Sequence, residues 1–115
     1  MGNKIIQDPE SLYVSGVKSA TFRSDPFLVV GWTSVDIQQV ITSASGLSGS
    51  AILQVSNDQT NWDDYPGSSH SFSGNESFTW MIIAQTPAKW MSLLVTISGG
   101  SGTFAATRTG QWTIT

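Results

Sequence analysis

No cysteine occurs among the 115 residues, so neither a disulfide framework nor a thiolate metal site is available, and thiols say nothing of the redox compartment. Stability must come from packing. Charge is scarce too: Asp, Glu, Lys and Arg make up 11% of the chain, less than half the ~25% usual for soluble domains. The five cations, Lys4, Lys18, Arg23, Lys89 and Arg108, are scattered singly. No basic patch can therefore neutralise several phosphates or hold an anionic membrane surface, which argues against nucleic acid and membrane as partners. No apolar run approaches the ~18 residues that a spanning helix needs. The opening Met1-Gly2-Asn3-Lys4-Ile5-Ile6-Gln7-Asp8 lacks the apolar core of a secretion signal. Helical periodicity is missing as well, since no apolar stripe of period 3.6 outlasts a turn.

What is present is apolar and hydroxylic. Hydrophobic residues make up 39%, enough for one core in one domain spanning residues 1–115. With 18 Ser and 12 Thr, the surface is kept in water by hydroxyls rather than ions. Such a surface can be buried against a copy of itself without desolvating charges. Period-two alternation runs almost throughout. Ala51, Leu53 and Val55 share one face of 49–56; Phe78, Trp80 and Ile82 share one face of 76–83. Met91, Leu93, Val95 and Ile97 oppose Ser92, Thr96 and Ser98, which places the sheet centre at 90–98. Further strands are expected at 4–6, 20–23, 27–32, 35–42, 69–72, 102–109 and 111–114. Ser24-Asp25-Pro26, Ser45 to Gly49, Ser56-Asn57-Asp58, Tyr65-Pro66-Gly67, Ser73-Gly74-Asn75 and Ser98 to Gly102 carry turn chemistry between them. The expected fold is all-β: a single antiparallel β-sandwich, jelly-roll-like, of eight to ten short strands, enclosing Leu53, Val55, Phe78, Trp80, Leu93, Val95, Ile97 and Phe104. The apolar phase slips between Val35 and Val40, which suggests a bulge at Gln38-Gln39. Asp8-Pro9-Glu10-Ser11-Leu12 allows one helical turn. Residues 1–12 read either as a strand of the body or as an N-terminal arm that pairs with a neighbouring copy.

No constellation for catalysis stands out. His70 is the lone histidine, its serine neighbours follow from composition, and no strained Gly-x-Ser-x-Gly turn is present. Asp58, Asp63 and Asp64 beside Asn57 and Asn61 have the oxygen density for calcium. A turn sealed by Asx side chains explains them more simply, and a glycosidase pair would need a second carboxylate across a cleft. Trp80 and Trp90 fit core or inter-sheet packing. For Trp32, Trp62 and Trp112, at strand ends or turns, packing over the turn or a subunit contact is favoured over stacking on a sugar. Asn75-Glu76-Ser77 is formally a glycosylation sequon. No cofactor is expected.

The segment Gly49-Ser50-Ala51-Ile52-Leu53-Gln54-Val55-Ser56-Asn57-Asp58, followed by Thr60-Asn61-Trp62, resembles a strand-turn-Trp element of small β-sandwich virion proteins of phages and similar viruses. Discoidin-like carbohydrate-binding sandwiches share it. Ser98 to Phe104 is similar to the Ser-Gly-x-Gly-Thr turn of the virion-type proteins, and the resemblance spans 35–109. Two positions depart from it. Gln59 stands where the turn usually has Gly, which implies a different turn type, and Ser92 replaces a commonly basic residue. The resemblance implies a capsid, decoration or appendage subunit located in the virion, whose partners are copies of itself and other virion proteins. The alternative it implies is a module that binds a surface glycan through exposed Trp. An enzyme is not expected. The turn and interface candidates are Asn57, Asp58, Asn61, Trp62, Ile52 and Leu94, the last two being apolar residues on otherwise polar strand faces.

Overall fold

The computed structural model describes the backbone of residues 3–6, 9–29, 34–82 and 89–114, and the side chains of 9–29, 34–82 and 89–110. Alternating side chains and abundant β-branched residues give strands throughout, and the described residues contain no helix. In chain order they are β1 (Asn3–Ile6), β2 (Glu10–Ser11), β3 (Gly16–Lys18), β4 (Phe22–Arg23), β5 (Phe27–Leu28), β6 (Ser34–Ser56), β7 (Asp63–Asp64), β8 (His70–Phe72), β9 (Glu76–Ile82) and β10 (Trp90–Ile114). β6 and β10 pair antiparallel along nearly their whole length, from Trp90 opposite Ser56 to Gln111 opposite Ser34. The expected short strands at 35–42 and 49–56 are thus one strand, as are those at 90–98, 102–109 and 111–114.

This long ribbon bends once. Between Ile97 and Thr103 the register shifts, so that seven steps along β6 are matched by six along β10. Ser43 (φ 51°), Gly46 (φ 59°) and Gly100 (φ 72°) adopt left-handed conformations there. Gly100 in particular is needed: a Cβ on it would lie 2.2 Å from the Gly46 carbonyl oxygen, because the two backbones touch at the bend. The one-residue offset also inverts the inward face of β10, from Met91, Leu93 and Val95 before it to Phe104 and Ala106 after it. β6 meanwhile presents Ile37, Gln39, Ile41, Ala51 and Leu53 inward throughout.

All ten strands belong to one hydrogen-bonded sheet, which the bend folds into two facing halves, a first and a second sheet. One holds β4, β5, the first part of β10, the last part of β6, β7 and β8; the other holds β1, β2, β3, the remaining parts of β10 and β6, and β9. Side chains join them across the core. Phe104 meets Phe22 edge-on at 5.6 Å and Phe72 at 5.5 Å, and the Trp80 indole donates to the Ser68 carbonyl oxygen at 2.7 Å. Of the expected core, Leu53, Trp80, Leu93, Val95 and Phe104 are buried, while Val55, Phe78 and Ile97 pack half-buried against them.

Two local expectations are corrected. No bulge occurs at Gln38-Gln39, since register runs unbroken from Thr103–Thr42 to Gln111–Ser34. The pattern slips because Gln39 itself turns into the core, 1% exposed, and Val40 turns out. Nor do Glu10 and Ser11 form a helical turn: they pair with Arg108 and Thr107, and Glu10 accepts from the Arg108 guanidinium at 2.9 Å. An available strand edge outweighs one turn of helix that has no partner to bury against. Asp8 lies outside the described residues, as do residues 30–32 of the expected 27–32 strand, Trp32 among them, and the Trp112 side chain.

Two buried serines complete the first sheet where its edges break. At Ser24, between β4 and β5, the hydroxyl accepts the Leu93 N–H at 2.8 Å and lies 3.2 Å from the Ser92 hydroxyl. At the opposite edge the Ser68 hydroxyl accepts the Leu53 N–H at 3.1 Å and lies 2.7 Å from the Tyr65 carbonyl oxygen. Leu53 and Leu93 face each other in the central pair. Each serine therefore stands in for a missing neighbouring strand.

Candidate functional site: the Asn57–Trp62 turn and the adjoining sheet face

β6 ends at Ser56, and the chain that follows closes on itself through short side chains. Ser56 Oγ accepts the N–H groups of Asp58 and Gln59 at 3.1 and 2.9 Å and donates to Asp58 Oδ1 at 2.9 Å. Asp58 Oδ1 accepts the Thr60 and Asn61 N–H groups at 2.9 and 2.8 Å, and Oδ2 accepts from Asn61 Nδ2 at 2.8 Å. The amides of Asn61 and Thr60, then the side chains of Asn61 and Ser56, hold the Asp58 carboxyl well below the usual carboxylate range. Asn57 Oδ1 accepts the Lys89 N–H at 3.0 Å and ties the turn to the start of β10.

Gln59 sits at φ 62°. Gln here adopts the left-handed conformation that glycine takes most readily, at a cost of ~1 kcal/mol. A cavity of about 250 Å³ opens beside the turn, lined by Val55, Ser56, Asn57, Asp58, Asn61 and Asp63. Both Asp58 oxygens already accept N–H donors, so this carboxylate is taken up in sealing its own turn. Among the described residues no three His, Asp or Glu side chains are grouped to hold a metal ion.

Beyond the turn, Trp62 folds back half-buried and places its ring 4.9 Å from the Arg23 guanidinium. Arg23 reaches from edge strand β4 to donate to Gln54 Oε1 at 2.5 Å, and Gln54 Nε2 donates to Asp64 Oδ1 at 2.7 Å. Partial burial pulls the Arg23 pKa down from its ordinary value. Three side chains thus link β4, β6 and β7 across the outer face of the first sheet, with Trp62 against one end. Ile52 and Leu94 lie directly opposite each other on that face, half-buried, with Arg23 beside Leu94. The structure brings Trp62, Ile52 and Leu94 to one side of the molecule, at the end of which the Asn57, Asp58 and Asn61 turn stands. Arg23 and Gln54 were given no site role in the sequence, and Asp64 was read there only with the turn carboxylates, because the link among the three depends on pairing between residues far apart in the chain.

His70 serves another purpose. Its Nε2 lies 2.7 Å from Glu76 Oε1, and its ring stacks on Phe78 at 3.7 Å. These contacts span the gap between β8 and β9, which belong to different sheets. Asn75 Oδ1 accepts the Ala44 N–H at 2.8 Å, next to the ribbon's bend.

No protein-family profile and no curated protein sequence matches the chain. Solved structures do resemble it. The SPBc2 prophage-derived protein YomS superposes with a TM-score of 0.55 at 12% identity, over 94% of this chain and 95% of that one. A protein of infectious bursal disease virus, Gt strain, gives 0.55 at 10% identity over 98% of this chain and 33% of that one. A structure described as "CBM4 structure and function" gives 0.50 at 11% identity, over 76% of this chain and 56% of that one. At these identities the likeness is one of fold. It falls on phage and viral proteins together with a CBM4, in keeping with the strand-turn-Trp resemblance.

Proposed function

We propose that the chain is a structural subunit of a virus or phage particle, located in the virion and acting by association with copies of itself and other virion proteins rather than by catalysis. The observation that carries this reading is the correspondence with the prophage-derived protein, in which nearly the whole of each chain is matched. The shared sandwich with the viral protein supports it. Composition points the same way, because a surface of hydroxyl and apolar groups can be buried against another subunit without stripping water from charges. The proposed contact is the outer face of the first sheet, with Ile52 and Leu94 at its centre and the turn from Asn57 to Trp62 at its end. Substituting Ile52→Asp or Leu94→Asp should keep the circular dichroism spectrum and lower the assembled mass in sedimentation velocity. Unchanged assembly in both variants would remove this face from the proposal.

A second reading has its own support. The likeness to the CBM4 structure and the half-exposed ring of Trp62 allow glycan stacking on the ring face away from Arg23. On the structural reading Trp62→Ala impairs assembly. On the glycan reading it abolishes reproducible hits on a glycan array and leaves association untouched.

A further inference from the structure

Sheet edges are sites of unwanted pairing, and folded proteins blunt them with short strands, proline, lysine or bulges. Three of the four edges here are treated in that way. The first sheet ends on one side in β4 and β5, two residues each, interrupted by Ser24-Asp25-Pro26, and on the other in β7 and β8, with Pro66 between them. One edge of the second sheet is divided into β1, β2 and β3, with Pro9 before β2 and Lys18 within β3. The fourth edge, β9, is different. It runs for seven residues without proline, lysine or arginine, in unbroken register with β6 from Ile82–Val35 to Glu76–Ile41. No described strand pairs with its other side. Its outward side chains, Ser77, Thr79 and Met81, are exposed and uncharged, Met81 at 71%. Its one charge, Glu76, is engaged by His70. Alongside runs a groove of about 320 Å³ between β9 and the loop ahead of β8, lined by Leu53, Tyr65, Pro66, Phe78 and Trp80 among others.

We infer that β9 is a docking edge for the β9 of a second copy, which adds antiparallel about a twofold axis at Thr79 and makes the two second sheets continuous. The inference rests on the reading of the chain as a self-associating subunit and names one of its contacts. The edge suits its own copy. A twofold at Thr79 sets Ser77 opposite Met81 and Phe78 opposite Trp80, twice over, so every cross-strand pair is uncharged except Glu76 with Ile82. Aromatic pairs of this kind stabilise neighbouring strands. Main-chain hydrogen bonds would supply the association, as in strand addition generally, and the paired grooves leave room for the aromatic side chains.

The absence of native cysteine makes the test direct. In the full chain, Thr79→Cys should cross-link to a disulfide dimer under mild oxidation much faster than Ser19→Cys, which is exposed on the far side of the molecule. Mixing Ser77→Cys with Met81→Cys should cross-link the two variants to each other, each alone remaining largely uncross-linked. Thr79→Lys, which sets like charges at the axis, should leave the melting temperature unchanged and halve the smallest stable mass seen by sedimentation. If the wild-type chain is oligomeric, but Thr79→Lys leaves its mass unchanged and Thr79→Cys cross-links no faster than Ser19→Cys, the docking edge is wrong and self-association proceeds through another surface. A wild-type chain that stays monomeric at every concentration overturns both readings.

Discussion

Gln39 is the least comfortable side chain in the core. It is 1% exposed, its Nε2 has no hydrogen-bond partner, and its Oε1 accepts the Tyr13 hydroxyl at 3.3 Å. An unpaired buried donor costs ~1–3 kcal/mol, so Gln39→Met combined with Tyr13→Phe should raise stability, whereas Tyr13→Phe alone should lower it by about 1 kcal/mol. Denaturant unfolding of the three variants checks the signs. Burial also pushes the Tyr13 phenol above its ordinary pKa of 10.0. Its folded form then stays protonated while the unfolded phenol ionises, so its contribution is intact below about pH 10 and declines as pH rises towards the folded value, with a slope of at most ~1.4 kcal/mol per pH unit. Tyr13→Phe should remove that part of the alkaline decline. At the surface, Gln59 takes a left-handed φ of 62°. Gln59→Gly should be neutral or stabilising by no more than ~1 kcal/mol, and Gln59→Val destabilising by ~1–2 kcal/mol, in thermal melts.

At the scale of the element, the fold depends on how β6 and β10 bend together and how their edges are closed. Gly46→Ala meets open space and bears only the strain of φ 59°, ~1 kcal/mol. Gly100→Ala bears similar strain and also drives a methyl group into the Gly46 carbonyl, so its midpoint should fall much further in the same melt. Ser24→Ala and Ser68→Ala each leave a buried leucine N–H without an acceptor and should cost ~1–3 kcal/mol, against less than ~0.5 kcal/mol for the exposed Ser69→Ala. Alternation made the strands at 49–56, 76–82 and 90–98 legible, residue 83 of the expected 76–83 lying outside the described residues, because burial of one face imposes a period of two. That 35–42 and 49–56 are one strand was not legible. Ser45 to Gly49 carries turn residues, and a bend inside a paired ribbon uses the same left-handed residues as a chain reversal. The Asn57–Trp62 turn was legible because its hydrogen bonds are local. The Arg23–Gln54–Asp64 link and the two edge serines were not, since each joins residues brought together only by long-range pairing.

At the scale of the whole molecule, low charge is the property that unites fold and proposed function. The sandwich closes its core with apolar residues, mends most of its edges with serine, proline and short strands, and presents faces of Ser, Thr and isolated apolar side chains such as Ile52 and Leu94. Contacts between such faces lack the long-range Coulomb attraction that salt screens, and excluded salts strengthen apolar burial. The measurement that tests this most directly is light scattering of the purified chain across a series of protein concentrations, from low to high ionic strength. The expected result is a defined oligomer whose mass holds or rises as salt increases, with no added ligand. A monodisperse monomer at high protein concentration in every salt condition would contradict it.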